Sequence, residues 1–76
     1  MKSANISEEY LIQKRVELGE KLREIREQKG LNQDQLAEII NIDRSTISKI
    51  EAGKWNFGIN TLNIFAVALE FKIELL

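Results

Sequence analysis

The sequence predicts an all-α domain of four to five helices with one short β-strand at its C-terminal end. Three observations lead there: apolar residues recur at helical spacing through most of the chain, capping residues separate those stretches, and the last segment alternates apolar with polar residues. At 76 residues, 43% hydrophobic and 30% charged, the chain has room for one domain, residues 1–76, and none for a second. A chain of this size buries only about 60% of its unfolded surface, so its stability rests on packing, including packing against a partner subunit.

Ser7 to Lys29 reads as one long helix. Ser7 is its N-cap, Glu8 and Glu9 sit at its positive end, and Lys29 precedes the stop at Gly30. Leu11, Leu18, Leu22 and Ile25 fall on one face, which is expected to be buried. Glu17 with Lys21 and Arg23 with Glu27 are opposite charges four apart, while Glu20 and Glu24 repel at the same spacing; a solvated face accounts for all of them. A second helix starts after Leu31, where Asn32 and Gln35 have the spacing of a capping box, and buries Leu36, Ala37 and Ile40. Asn41 suits the left-handed turn, Ile42 plugs the corner, and Asp43 caps a third helix that runs to about Ala52 and ends at Gly53. Asn60 to Leu69 forms a fourth helix, with Leu62, Phe65, Ala66 and Leu69 facing the core and Ile64, Val67 and Ala68 elsewhere. Residues 70–76 begin Glu70-Phe71-Lys72-Ile73-Glu74-Leu75, a period of two that signals a half-buried strand.

The chain has no cysteine and no histidine, which excludes disulfides, thiolate chemistry, zinc-finger ligand sets and a neutral-pH proton shuttle. It also lacks a P-loop and a G-x-G-x-x-G fingerprint, so it is read as a non-enzyme with no cofactor and no metal. Lys2, Glu8, Glu9, Lys14 and Arg15 interrupt any secretory signal. The longest uncharged run, Trp55 to Leu69, is 15 residues with three asparagines, short of the roughly 20 apolar residues that span a bilayer. No membrane partner and a cytoplasmic location are therefore expected. A net charge of −1 and a pI near 5.4 leave no global basic footprint, so contact with nucleic acid needs a local basic surface.

Two short helices joined by a three-residue turn, with a helix before and another after, form the frame in which a recognition helix enters the major groove. The frame holds Gly30-Leu31-Asn32-Gln33-Asp34-Gln35-Leu36-Ala37, then Asn41-Ile42-Asp43, then Ile47-Ser48-Lys49-Ile50-Glu51-Ala52-Gly53-Lys54. These strings closely resemble the signature of the Cro and phage-repressor (XRE-type) helix-turn-helix family. The resemblance spans roughly Leu18 to Leu69, with the motif at 33–52. The chain departs from the usual pattern at Asn41 (turn glycine), Phe57 (proline) and Trp55 (a basic or polar loop residue). The first departure is conservative, because asparagine tolerates positive φ.

The resemblance implies a λ-repressor-like fold and sequence-specific binding of double-stranded DNA by a bacterial or phage-like repressor, with helix 43–52 in the major groove. Residue by residue, it puts Arg44, Ser45 and Lys49 at base-reading positions and Thr46 and Ser48 nearer the DNA backbone. Arg44 and Lys49 would favour G·C pairs. Gln33 is either a phosphate contact that also buttresses the recognition helix or an ordinary solvent-facing residue. Lys54 and Asn56 are further phosphate contacts, and Trp55 either lies over the sugar-phosphate backbone or packs in the core or a dimer contact. Glu51 is implied to form a buried ion pair with Arg26. Apolar residues beyond those the core needs, Ile64 and Val67 on the fourth helix with Phe71, Ile73 and Leu75 on the strand, point to a two-fold homodimer that pairs its C-terminal strands and reads a palindromic operator. The alternative function is an antitoxin-like module that holds a partner toxin and represses its own operon.

Overall fold

The computed structural model describes residues 5–75, and side chains cap the first turns of two of its helices. The element order is α1 (Glu8–Gln28), α2 (Gln33–Ile40), α3 (Arg44–Glu51) and α4 (Ile59–Leu69). At the start of α1 the Tyr10 amide donates to the Ser7 hydroxyl at 3.0 Å. The capping box of α2 is complete: the Gln35 amide donates to Asn32 Oδ1 at 2.7 Å and the Asn32 amide to Gln35 Oε1 at 2.8 Å. Asn41 then takes the left-handed conformation, φ 55° and ψ 46°, that turns the chain into α3. Asp43 occupies the N-cap of α3, but its side chain makes no capping bond. The cap is instead a backbone one, since the Asp43 carbonyl accepts from the amides of Thr46 and Ile47. The fourth helix starts one residue earlier than the sequence suggested, at Ile59, behind Gly58.

All four helices contribute to one core, whose fully buried members are Leu22, Leu36, Ile47, Ile50, Phe65 and Leu69. Each such side chain removed from water contributes about 1.5–3 kcal/mol. Ile25, Ala37, Ile40, Ile42, Leu62 and Ala68 pack around them. Ala68 therefore belongs to the core side of α4, and the outward apolar residues of the helix are Ile59, Ile64 and Val67.

The crossing of α1 over α3 is a contact of backbones. A Cβ on Gly19 would lie 2.5 Å from the carbonyl oxygens of both Ile50 and Glu51. Just beyond α3, Gly53 has φ +72° and sits so close to α1 that a Cβ there would meet the Val16 Cα at 2.6 Å. Only a residue without a side chain fits at both positions.

Three further expectations change. Leu11 and Leu18 are exposed, at 47% and 38%, whereas Leu22 and Ile25 pack inward as expected. With 21 residues, α1 is about 31 Å long, and its first turns run past the other helices in a domain measuring 45 × 25 × 20 Å. Lys21 pairs with Glu24 at 3.8 Å and Glu17 with Lys14 at 3.6 Å, so the expected Glu17–Lys21 pair does not form, while Arg23–Glu27 does at 3.8 Å. Residues 70–75 form no strand, and none occurs among the described residues. Glu70 is the left-handed C-cap of α4, and the Phe71 amide closes onto the Ala66 carbonyl at 3.0 Å. A strand needs a ladder partner, and no other segment among the described residues supplies one. Phe71 is half-buried on the core, and Ile73 and Leu75 are exposed. Residues 1–4 and Leu76, the ends of the expected 1–76 domain and 70–76 strand, lie outside the described residues.

Candidate nucleic-acid interface

Two apolar anchors orient α3. Ile47 and Ile50 are fully buried, and the helical period then turns Arg44, Ser45, Ser48 and Lys49 outward together. Arg44, Ser45 and Ser48 line a shallow polar depression of about 290 Å³. Thr46 is half-buried at the edge of this face. Beyond the helix, Lys54 and Asn56 are exposed, and so is Trp55 at 43%, which keeps the indole out of the monomer core. From Asp43 to Lys54 the exposed charges are three cations, Arg44, Lys49 and Lys54, against the carboxylate of Asp43, with the exposed Asp34 of α2 adding a second carboxylate 3.5 Å from Arg44. The net-acidic chain thus has a local basic face.

Behind that face lies a buried ionic knot. Arg26 Nε donates to Glu51 Oε2 at 2.7 Å and its second terminal nitrogen, Nη2, to Oε1 at 3.0 Å. Its remaining terminal nitrogen, Nη1, donates to the Leu31 carbonyl at 2.6 Å. Gln33 Nε2 adds a bond to Glu51 Oε1 at 3.1 Å. The Glu51 hydrogen bond, aided by the charges of Glu51 and Glu27, holds the guanidinium above its ordinary arginine value against the opposing effect of burial. The knot ties the end of α3 to α1 and to the first turn of α2, which sets the orientation of the exposed face. Gln33 is half-buried and gives an amide hydrogen to the knot, so it is not an ordinary solvent-facing residue.

Two features escaped the sequence reading. Arg44 Nε lies 3.5 Å from Asp34 Oδ1 across the turn between α2 and α3, with both side chains exposed. Gly19 gave a signal that was not used: glycine inside a helix costs about 1 kcal/mol relative to alanine, which invites the question of what approaches it. Among the described residues, no group of acidic residues is arranged to hold a metal ion, and no helix is long and apolar enough to cross a membrane.

The family model "Helix-turn-helix domain" matches residues 19–75, from the Gly19 crossing to the end of the described chain. The chain belongs to this family. Its type is that of the Cro and phage-repressor proteins. An immunity repressor protein of Bacillus phage phi105 is 35% identical over 57 residues, which cover 75% of this chain and 40% of the relative. The matched stretch thus spans less than half the length of that protein. Among solved structures, the restriction-modification controller protein C.AhdI from Aeromonas hydrophila superposes with a TM-score of 0.76 at 35% identity, over 79% of this chain and 91% of that one. A tyrosine-to-phenylalanine mutant of the restriction-modification controller protein C.Esp1396I gives a TM-score of 0.71 at 30% identity, over 95% of this chain and 80% of that one. The all-α helix-turn-helix fold is shared with both.

Proposed function

We propose that this helix-turn-helix domain is a sequence-specific DNA-binding transcription regulator, acting as a repressor on a palindromic operator. The observation that carries the proposal is the exposed α3 face, where Arg44, Ser45, Ser48 and Lys49 stand together on a helix fixed from behind by Ile47, Ile50 and the Arg26–Glu51 pair. In this reading Arg44, Ser45 and Lys49 meet base edges in the major groove, and Thr46, Ser48, Lys54 and Asn56 meet the DNA backbone. Gln33 offers the phosphate its second amide hydrogen, the first being given to Glu51. The activity is binding alone, with no cofactor and no covalent step, in a bacterial or phage-infected cytoplasm. The names of its relatives, a phage immunity repressor and two controller proteins, support regulation of transcription.

The same proposal makes the regulator a homodimer. Val67 is 82% exposed, and Ile64 and Val67 line an apolar groove of about 500 Å³ between α2 and α4, with Ile39, Ile40, Asn63 and Ala68. Phe71, Ile73 and Leu75 extend the apolar surface, and their backbone gains a ladder partner if the same segment of a second copy pairs with it. Two α3 helices about one DNA turn apart, roughly 34 Å, would then read the two half-sites.

Selection of bound sequences from random duplex DNA, followed by titration at low and moderate salt, tests the function. Enrichment of an inverted repeat with G·C pairs in each half is expected, with affinity falling steeply as salt rises. Failure to enrich any sequence would overturn the proposal. If the chain also sedimented as a monomer, the groove would be left to another protein and the antitoxin-like alternative would be favoured.

A further inference from the structure

Arg44 is the first residue of α3, the positive end of the helix dipole, where a cation is poorly placed. No acidic residue stands in that first turn, and the Asp43 side chain does not cap it. Asp34, ten residues earlier in the first turn of α2, is well placed at its own helix end and lies 3.5 Å from Arg44 Nε. Lys49 and Lys54 make no ion pair among the described residues, so Arg44 is the one tethered cation of the exposed face. The neighbouring Gln33 amide is turned to Glu51 and gives Arg44 no help. With side chains 64% and 73% exposed, the pair adds little to stability. What it biases is direction: a planar guanidinium drawn by charge attraction, without a hydrogen bond, toward Asp34 on its Nε edge leaves both terminal nitrogens free as a two-donor fork.

We infer that Asp34 is a specificity-determining positioning residue, which orients Arg44 so that its fork meets guanine O6 and N7 and not the nearest phosphate. The inference rests on the base-reading role proposed for Arg44. An untethered arginine beside DNA faces many phosphates and few guanines, so it gains general affinity and loses choice. The Asp34 carboxylate also repels the DNA backbone, and its removal has the same sign.

The test titrates the full chain and its Asp34→Asn, Asp34→Glu and Arg44→Ala variants with the best selected duplex, each single-base variant of it, and random duplex, at one salt concentration. For Asp34→Asn we expect a loss of about fivefold or more in preference for G at one half-site position. Random duplex should be bound as well or better, and urea unfolding should be unchanged. Arg44→Ala should lose preference at the same position, with no further loss when Asp34→Asn is added, and Asp34→Glu should restore part of the preference. Full discrimination in Asp34→Asn alongside its loss in Arg44→Ala overturns the role of Asp34 alone. An even loss of affinity across all duplexes in Asp34→Asn also overturns it. Intact base preference in Arg44→Ala overturns the base-reading role, and this inference with it.

Discussion

Arg26 and Glu51, 25 residues apart in the chain, meet through two hydrogen bonds with each residue only 6% exposed. Removing one partner strands the other as a buried charge, which costs about 3–5 kcal/mol. Glu51→Ala should therefore show a large drop in the urea midpoint, followed by circular dichroism. A variant as stable as the parent would mean that the pair holds nothing in place. The guanidinium is raised above its ordinary value by the Glu51 bond, so its contribution is complete below the unfolded arginine pKa and is lost only as pH rises through the folded one. No loss of stability from Arg26 is expected across the neutral range.

Gly19→Ala sets two effects against each other. Alanine gains about 1 kcal/mol of helix propensity, but its Cβ would fall 2.5 Å from two backbone oxygens of α3. Backbone cannot step aside as a side-chain tip can, and forced overpacking costs about 1–3 kcal/mol. A net fall in thermal midpoint is expected; a rise would show that α1 and α3 separate freely.

Lys49→Ala and Lys54→Ala should fail in different ways. Lys49 stands on the exposed α3 face proposed to read bases, so its loss should cost about 1–3 kcal/mol on the best operator and relax choice at one base pair. Lys54, beyond α3, should weaken operator and random duplex evenly and lower the salt slope by about one. Equal losses on both duplexes for Lys49→Ala would remove it from the reading face.

Val67→Glu is a clean probe of the dimer, because a side chain 82% exposed in the monomer leaves that fold intact when charged. Sedimentation should then give a monomer with much weaker operator binding. Deletion of residues 71–76 should do the same but also uncovers the core, where Phe71 packs. A full-length chain that is monomeric at micromolar concentration and binds its operator as well after Val67→Glu would sink the two-fold model.

What the sequence disclosed follows range of interaction. The Asn32–Gln35 capping box, the Ser7 cap and the left-handed Asn41 are local events within a few residues, and spacing alone finds them. The inward pair Ile47 and Ile50 followed from helical period. Period also gave a face to Leu11 and Leu18 and a strand to residues 70–75, but it cannot say how much lies opposite: Phe71 finds the core, Leu18 is only partly covered, and among the described residues no strand pairs with 70–75. The Asp34–Arg44 contact and the Gly19 crossing depend on how separate helices meet in space, which no window along the chain contains.

The exposure of Trp55 has a spectroscopic consequence. It is the sole tryptophan, and in the folded monomer its indole already faces water between Lys54 and Asn56. Intrinsic emission should therefore shift less when the domain unfolds than it would for a fully buried tryptophan. The same indole stands beside the surface where a duplex would settle, so emission quenched or blue-shifted on titration would give an unlabelled binding signal.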